Sequence, residues 1–127
     1  FVLAGDTVVA AGRRILPKPE SAEEARQCLE LLSGRRHTVL SSVFLRAPDG
    51  STKSRLSENI VSFKSLSREE MDAYLAGDEW RGKAGGYAIQ GSAEALVQWM
   101  RGSHSSVMGL PLYETRALLK SAGFPIG

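Results

Sequence analysis

Phe1-Val2-Leu3-Ala4-Gly5-Asp6-Thr7-Val8-Val9-Ala10, residues 1–10, is the stretch on which the reading of the fold turns. Its apolar residues are consecutive rather than alternate, so it reads as a strand covered on both faces. Such strands seldom open a chain, and no initiator Met stands before Phe1, so further residues are expected upstream. Downstream, Ala11-Gly12-Arg13 supplies a tight turn and Ile15-Leu16 a short return, until Pro17-Lys18-Pro19 imposes an extended, stiff backbone. Ser21-Ala22-Glu23-Glu24 has the capping-box pattern, and Ala22, Ala25, Leu29 and Leu32 recur at helical spacing until Gly34. Cys28 falls on the apolar side of this helix and reads as core.

Beyond it, His37 to Arg46 is rich in β-branched residues, with Val39, Val43 and Leu45 alternating against Thr38, Ser42 and Arg46, and Leu40, Ser41 and Phe44 departing from the pattern. Pro48-Asp49-Gly50 turns the chain, and Ile60-Val61-Ser62-Phe63 is the expected return strand after a polar stretch. Ser67-Arg68-Glu69-Glu70 repeats the capping box ahead of Met71, Tyr74 and Leu75, predicting a second, shorter helix that ends at Gly77. Gly82-Lys83-Ala84-Gly85-Gly86-Tyr87 reads as a flexible basic loop, Ala88-Ile89 and Leu96–Met100 as brief strands. Gly109-Leu110-Pro111 opens a last helix with Pro in its first turn, with Leu112, Leu118 and Leu119 as core candidates and Gly123 closing it. Strands alternating with helices, together with hairpins, predict an α/β fold in one domain over residues 1–127.

The composition fits: 127 residues, 43% hydrophobic and 24% charged, suit one ordinary globular domain. Sixteen Lys and Arg against fourteen Asp and Glu leave +2, too little for a broad basic surface, so no nucleic-acid partner is expected. No apolar run approaches the ~20 residues of a membrane span and no signal peptide opens the chain, which predicts a cytoplasmic protein with no membrane partner. With Cys28 as the one cysteine and His37 and His104 as the two histidines, an internal disulfide and a Cys/His zinc cage are excluded by counting.

Few residues resist a purely structural explanation. Asp6 interrupts an uncharged run, and a carboxylate in a buried strand is costly unless paired, solvated at a cleft or bound to a metal; capping a nearby turn is the competing explanation. Lys18, held between two prolines, is either a solvated loop residue or a cation aimed at phosphate. Lys83 sits in a Gly-rich loop whose amides suit an anion, although its spacing is neither a Walker A nor a dinucleotide fingerprint. Gln90 carries a paired donor and acceptor that matches a base edge, and equally suits a solvated turn. Glu23, Glu24, Glu69, Glu70, Asp78 and Glu79 fall in first turns or loops, where the helix dipole and solvent account for them. His37 and His104 have no G-x-S-x-G nucleophile elbow to serve.

Taken in order, Ala4-Gly5-Asp6-Thr7-Val8-Val9, Lys18-Pro19, Ser33-Gly34-Arg35 with His37 and Val39, Lys83-Ala84-Gly85-Gly86-Tyr87-Ala88-Ile89-Gln90-Gly91 and Gly109-Leu110-Pro111-Leu112 resemble the Maf family along the whole chain. The resemblance implies an α/β fold shared with inosine triphosphate pyrophosphatases, a mixed sheet with flanking helices. It implies hydrolysis of a nucleoside triphosphate between its α- and β-phosphates, giving the monophosphate and pyrophosphate, with a divalent cation, Mg²⁺ or Mn²⁺. Asp6 then matches the proposed general base or metal-linked carboxylate, and Lys18, Lys83 and Gln90 match phosphate and base contacts. The Lys83–Gly91 segment is closer to the branch acting on dTTP, UTP and modified pyrimidine nucleotides than to the branch acting on 7-methyl-GTP. A homodimer and an association with septum formation are further implications of the resemblance.

Two departures qualify it. Pro17 stands where the family usually has Gly, and the family's opening third, with its S-x-S-P-R-R phosphate cradle, is absent from this sequence. Losing such a clamp is expected to remove several kcal/mol of transition-state stabilisation and to leave apolar surface exposed. The sequence therefore leaves two readings: a pyrophosphatase acting on dTTP- or UTP-type nucleotides, and a non-catalytic nucleotide-binding or cell-division regulator.

Overall fold

The computed structural model describes residues 1–126. Five strands form one sheet in the order β2-β1-β3-β4-β5: β1 Val2–Ala11, β2 Arg14–Leu16, β3 Arg36–Arg46, β4 Thr52–Phe63 and β5 Val97–Arg101. Four helices accompany them: α1 Ala22–Leu32, α2 Arg68–Leu75, α3 His104–Met108 and α4 Leu112–Ser121. This is the expected α/β class; every strand pairing among the described residues is antiparallel.

The sheet has one covered face. Val9, Val39 and Val61 pack with Ala25, Cys28, Leu29 and Leu32 of α1, while Val43 and Leu45 meet Leu118 of α4. Strict alternation along β3 buries His37, Val39, Ser41, Val43 and Leu45, so Ser41 belongs to the inner set and Leu40 and Phe44 to the outer one. The register puts Ala4 beside Phe44, and Asp6 beside Ser42 and then Leu56, on the opposite face. There Val2, Phe44 and Leu56 are 60%, 43% and 64% exposed, which corrects the expectation that the first strand is covered on both sides. No helix among the described residues packs on that face, and its apolar side chains stand in solvent.

Other expectations need local correction. The polar residues from Thr52 to Asn59 are strand, not loop, because β3 offers a full ladder from Arg36↔Ser62 to Arg46↔Thr52 and one face of β4 is solvated. Ala88-Ile89 is turn rather than strand. Pro111 is the N-cap of α4 rather than a residue within its first turn, and Leu112 is exposed while Leu118 is buried. Helix α3 lies in a Gly- and Ser-rich stretch whose lack of apolar periodicity gives no sequence signal for it. Ser21 accepts from Glu24 N as a cap should, but the Glu24 carboxylate takes Glu20 N instead of closing the box; the box at Ser67 and Glu70 is complete. Cys28 is buried as read, and burial, with Glu24 adding to it, pushes its thiol pKa up. Among the described residues no helix is long and apolar enough to cross a membrane.

A buried polar network fastens α3 to the sheet. Asn59, 1% exposed, donates through Nδ2 to Val39 O at 3.1 Å and to Ser106 Oγ at 2.6 Å, and its Oδ1 accepts from Ser103 N at 3.1 Å. Ser106 Oγ donates onward to Ser57 Oγ at 2.7 Å, and Ser41 Oγ donates to Ser106 O. Because these Asn59 partners are buried or partly buried groups, truncating the amide strands them away from water. Asn59→Ala is expected to lower the unfolding free energy by about 2 kcal/mol. Urea denaturation with an unchanged m-value checks it, and a loss below about 0.5 kcal/mol would show that water replaces the amide.

Candidate functional site

One cleft gathers residues from five parts of the chain. Gly5, Asp6, Thr7 and Val9 of β1, Lys18, Val39 of β3, residues between Gly82 and Gln90, and Val107 and Met108 of α3 line a cavity of about 230 Å³. It sits beside β1, where β2 pairs only with Val9, Ala10 and Ala11 and leaves the preceding residues of the strand open on that edge. All four residues singled out from the sequence, Asp6, Lys18, Lys83 and Gln90, line this one cleft. All four are also exposed, which corrects the expectation of a carboxylate inside a buried strand. Asp6 Oδ1 accepts from Thr7 N at 2.9 Å, and Oδ2 has no partner among the described residues.

Local chemistry explains the convergence. Pro17-Lys18-Pro19 leaves β2 extended, and Pro17 O accepts a hydrogen bond from Gly85 N at 3.2 Å, which clips the Lys18 loop to the Lys83 segment. The segment is a tight 3-10 turn over Ala84–Gly86 rather than a flexible loop. Gly85 and Gly86 are buried there, Gly85 at φ +72 with its α-carbon against Val9. A glycine is required at that point because an added Cβ would lie 2.9 Å from Val9 Cγ1. The turn is thereby seated directly on the strand that carries Asp6.

Two groups whose sequence context suggests no role support the site. Glu79 accepts from Ser92 N at 3.1 Å and from Ser92 Oγ, and these bonds hold its carboxyl below the usual range. The Gln90-Gly91 turn is thus anchored from one side. Thr7 Oγ1 lies 3.3 Å from Ser41 Oγ, which joins the strand beside Asp6 to the Asn59 network. No sequence signal marks this second contact, because β1 and β3 pair across 34 residues.

Asp6 is the one carboxylate among the residues lining the cleft, which also include the cations Lys18 and Lys83. Among the described residues no group of three or more His, Cys, Asp and Glu is placed to hold a metal ion. A single carboxylate does suit Mg²⁺ or Mn²⁺ brought in by phosphate, since Mg²⁺ commonly takes one or two protein carboxylates and completes its shell with water and substrate oxygens. At about 230 Å³ the cleft is below the roughly 300–1,000 Å³ of pockets that enclose a drug-sized ligand, so a nucleotide would extend out of it.

Comparison with known proteins bears on this arrangement. A dTTP/UTP pyrophosphatase of Novosphingobium aromaticivorans is 64% identical over 126 residues, covering 99% of this chain and 63% of that protein. Proteins of the same name from Zymomonas mobilis and Rhodospirillum rubrum are 62% and 60% identical, covering 98% and 100% of this chain and 62% and 60% of their own lengths. The chain thus spans somewhat over half the length of these curated relatives. The family model described as Maf-like protein matches residues 1–122, and with identities of this size over nearly every residue the chain belongs to the Maf-like protein family.

Proposed function

We propose that this chain carries the catalytic carboxylate, two phosphate-binding cations and the base-reading amide of a nucleoside triphosphate pyrophosphatase acting on dTTP- and UTP-type nucleotides, modified pyrimidines included. The observation that carries the reading is the convergence of Asp6, Lys18, Lys83 and Gln90 on one cleft from three separate stretches of sequence. The relatives named dTTP/UTP pyrophosphatase support the same substrate class.

In this reading Asp6 orients a water and accepts its proton as the water oxygen attacks phosphorus. The bond between the α-phosphate and the bridging oxygen breaks, and pyrophosphate leaves with the bridging oxygen and its electron pair. Lys18 and Lys83 offset the charge that accumulates on the leaving phosphates, worth more in a fixed site than in water because nothing need reorganise. Gln90 suits the pyrimidine edge, where a carbonyl oxygen adjoins an N–H and an amide can donate to one and accept from the other. A divalent cation, Mg²⁺ or Mn²⁺, held by Asp6 together with the phosphates, would neutralise phosphate charge and polarise the reacting bond. The reading carries with it a single domain over residues 1–127 and a cytoplasmic place of action, where nucleoside triphosphates are made and Cys28 stays reduced. A homodimer is the assembly that goes with it.

The test is pyrophosphate release from dTTP, UTP and 7-methyl-GTP by the purified chain with Mg²⁺, with and without EDTA. The expected result, weak in the chain alone and stronger once an S-x-S-P-R-R opening segment is joined to it, is turnover of dTTP and UTP well above 7-methyl-GTP, lost with EDTA, and lowered about 10- to 100-fold in Lys83→Ala through the missing phosphate charge. Nucleotide binding without turnover, not revived by restoring an opening phosphate cradle, would instead identify a nucleotide-binding regulator.

A further inference from the structure

Beside the cleft, three aromatic rings from distant parts of the chain pack edge to face. His37 of β3, Phe63 at the end of β4 and Tyr87 after the 3-10 turn have centroids 5.4, 5.5 and 4.8 Å apart for the pairs His37–Phe63, His37–Tyr87 and Phe63–Tyr87. His37 is 3% exposed, and its Nε2 is 2.6 Å from Tyr87 Oη. Its Nδ1 has no partner among the described residues, and burial lowers its pKa to about 4, so the ring is neutral at physiological pH. A buried polar atom left unpaired is costly, and a Leu or Phe would fill the same space without that cost. The gain from this histidine is therefore sought in where it holds its partner.

That partner lies between Lys83 and Gln90 and itself lines the cleft. The segment from 83 to 90 contains only short turns, and such backbone keeps a fixed place only where individual contacts hold it. On one side Gly85 is seated on Val9 and bonded to Pro17 O; on the other, the His37–Tyr87 bond ties the segment to the middle of the sheet.

We propose that His37 is a positioning residue, whose hydrogen bond to Tyr87 fixes the segment bearing Lys83 and Gln90 in place in the cleft that Asp6 also lines. What the fixed segment binds rests on the function proposed above; the fixing itself does not. His37 touches no reacting group, and its effect reaches substrate only through Tyr87.

The test compares His37→Phe, which keeps a ring against Phe63 and Tyr87 but deletes the bond, with His37→Gln, whose amide can still pair with the Tyr87 hydroxyl. Hydrogen exchange by mass spectrometry is read over residues 83–90 and over α1, alongside KM and kcat for UTP. In His37→Phe, exchange over 83–90 is expected to accelerate about 10-fold while α1 is unchanged, and KM to rise about 10-fold with kcat altered less than about threefold; His37→Gln restores both. Exchange that is unaltered, or raised equally in α1, overturns the proposal. Should His37→Phe fail to fold, Tyr87→Phe removes the same bond from the other side and is read identically. Because exchange decides the positioning by itself, a wild-type chain without turnover would count against the pyrophosphatase reading and leave the positioning role of His37 standing.

Discussion

Asp6→Asn is expected to lower kcat for UTP about 1,000-fold and to leave the fold intact. Removing a positioned general base costs about 10²- to 10⁴-fold, and the residues lining the cleft include no second carboxylate to take over the proton. Asparagine is the informative replacement. Its amide oxygen can still accept from Thr7 N, the one hydrogen bond the Asp6 side chain makes among the described residues, so the backbone of β1 has no reason to move. Asp6 is also exposed, and exposed substitutions away from special features change stability by about 0.5 kcal/mol at most. Steady-state pyrophosphate release and a thermal melt on the same preparation check both halves. A variant retaining a third of wild-type kcat would remove Asp6 from the chemistry.

Gly85→Ala is expected to destabilise the protein by about 3 kcal/mol, lowering the melting midpoint by roughly 10–15 °C for a domain of this size. Two costs add. At φ +72 an L-residue carries about 1 kcal/mol of backbone strain. The new Cβ also comes 2.9 Å from Val9 Cγ1 and 3.2 Å from Val9 Cβ, a branched and buried side chain, which adds about 2 kcal/mol of overpacking. Gly82→Ala is the built-in control: its φ is +66, but nothing lies within 4 Å of the added atom, so it should show the backbone cost alone. Equal losses in the two variants would mean that the turn is not seated on β1. Below its melting point Gly85→Ala should also lose turnover, because the turn it displaces carries Lys83.

The elements legible in the sequence are those with strong local signals. Ser21 and Ser67 announce α1 and α2 through capping patterns, and Pro48-Asp49-Gly50 announces the β3–β4 turn. Strand β4 is longer than its sequence suggests because Thr52 to Asn59 is polar, and only the ladder supplied by β3 makes it a strand. The opening strand misleads for the opposite reason: Val2 and Leu3 are apolar, yet local composition says nothing about what covers a face. Within the cleft, Asp6 and Lys18 stand out because each sits oddly in its own surroundings, and Lys83 and Gln90 because of the motif around them. His37 and Tyr87 belong to the quoted motifs, but the contacts of Tyr87, His37, Glu79 and Asn59 escape such reasoning, since they join residues 13 to 50 positions apart.

That separation governs how the cleft comes into being. β1 pairs with β3, closing the intervening stretch that holds α1, and its Val9 then receives Gly85 from far downstream. Each closure costs chain entropy before any contact offsets it, so pairing of this kind forms slowly and late. Asp6 and Met108 both line the cleft and stand 102 residues apart in sequence, so no short fragment can supply the whole lining. The binding surface is therefore a product of the final, cooperative assembly, and loss of stability at any one of its supports translates directly into a smaller population of competent molecules.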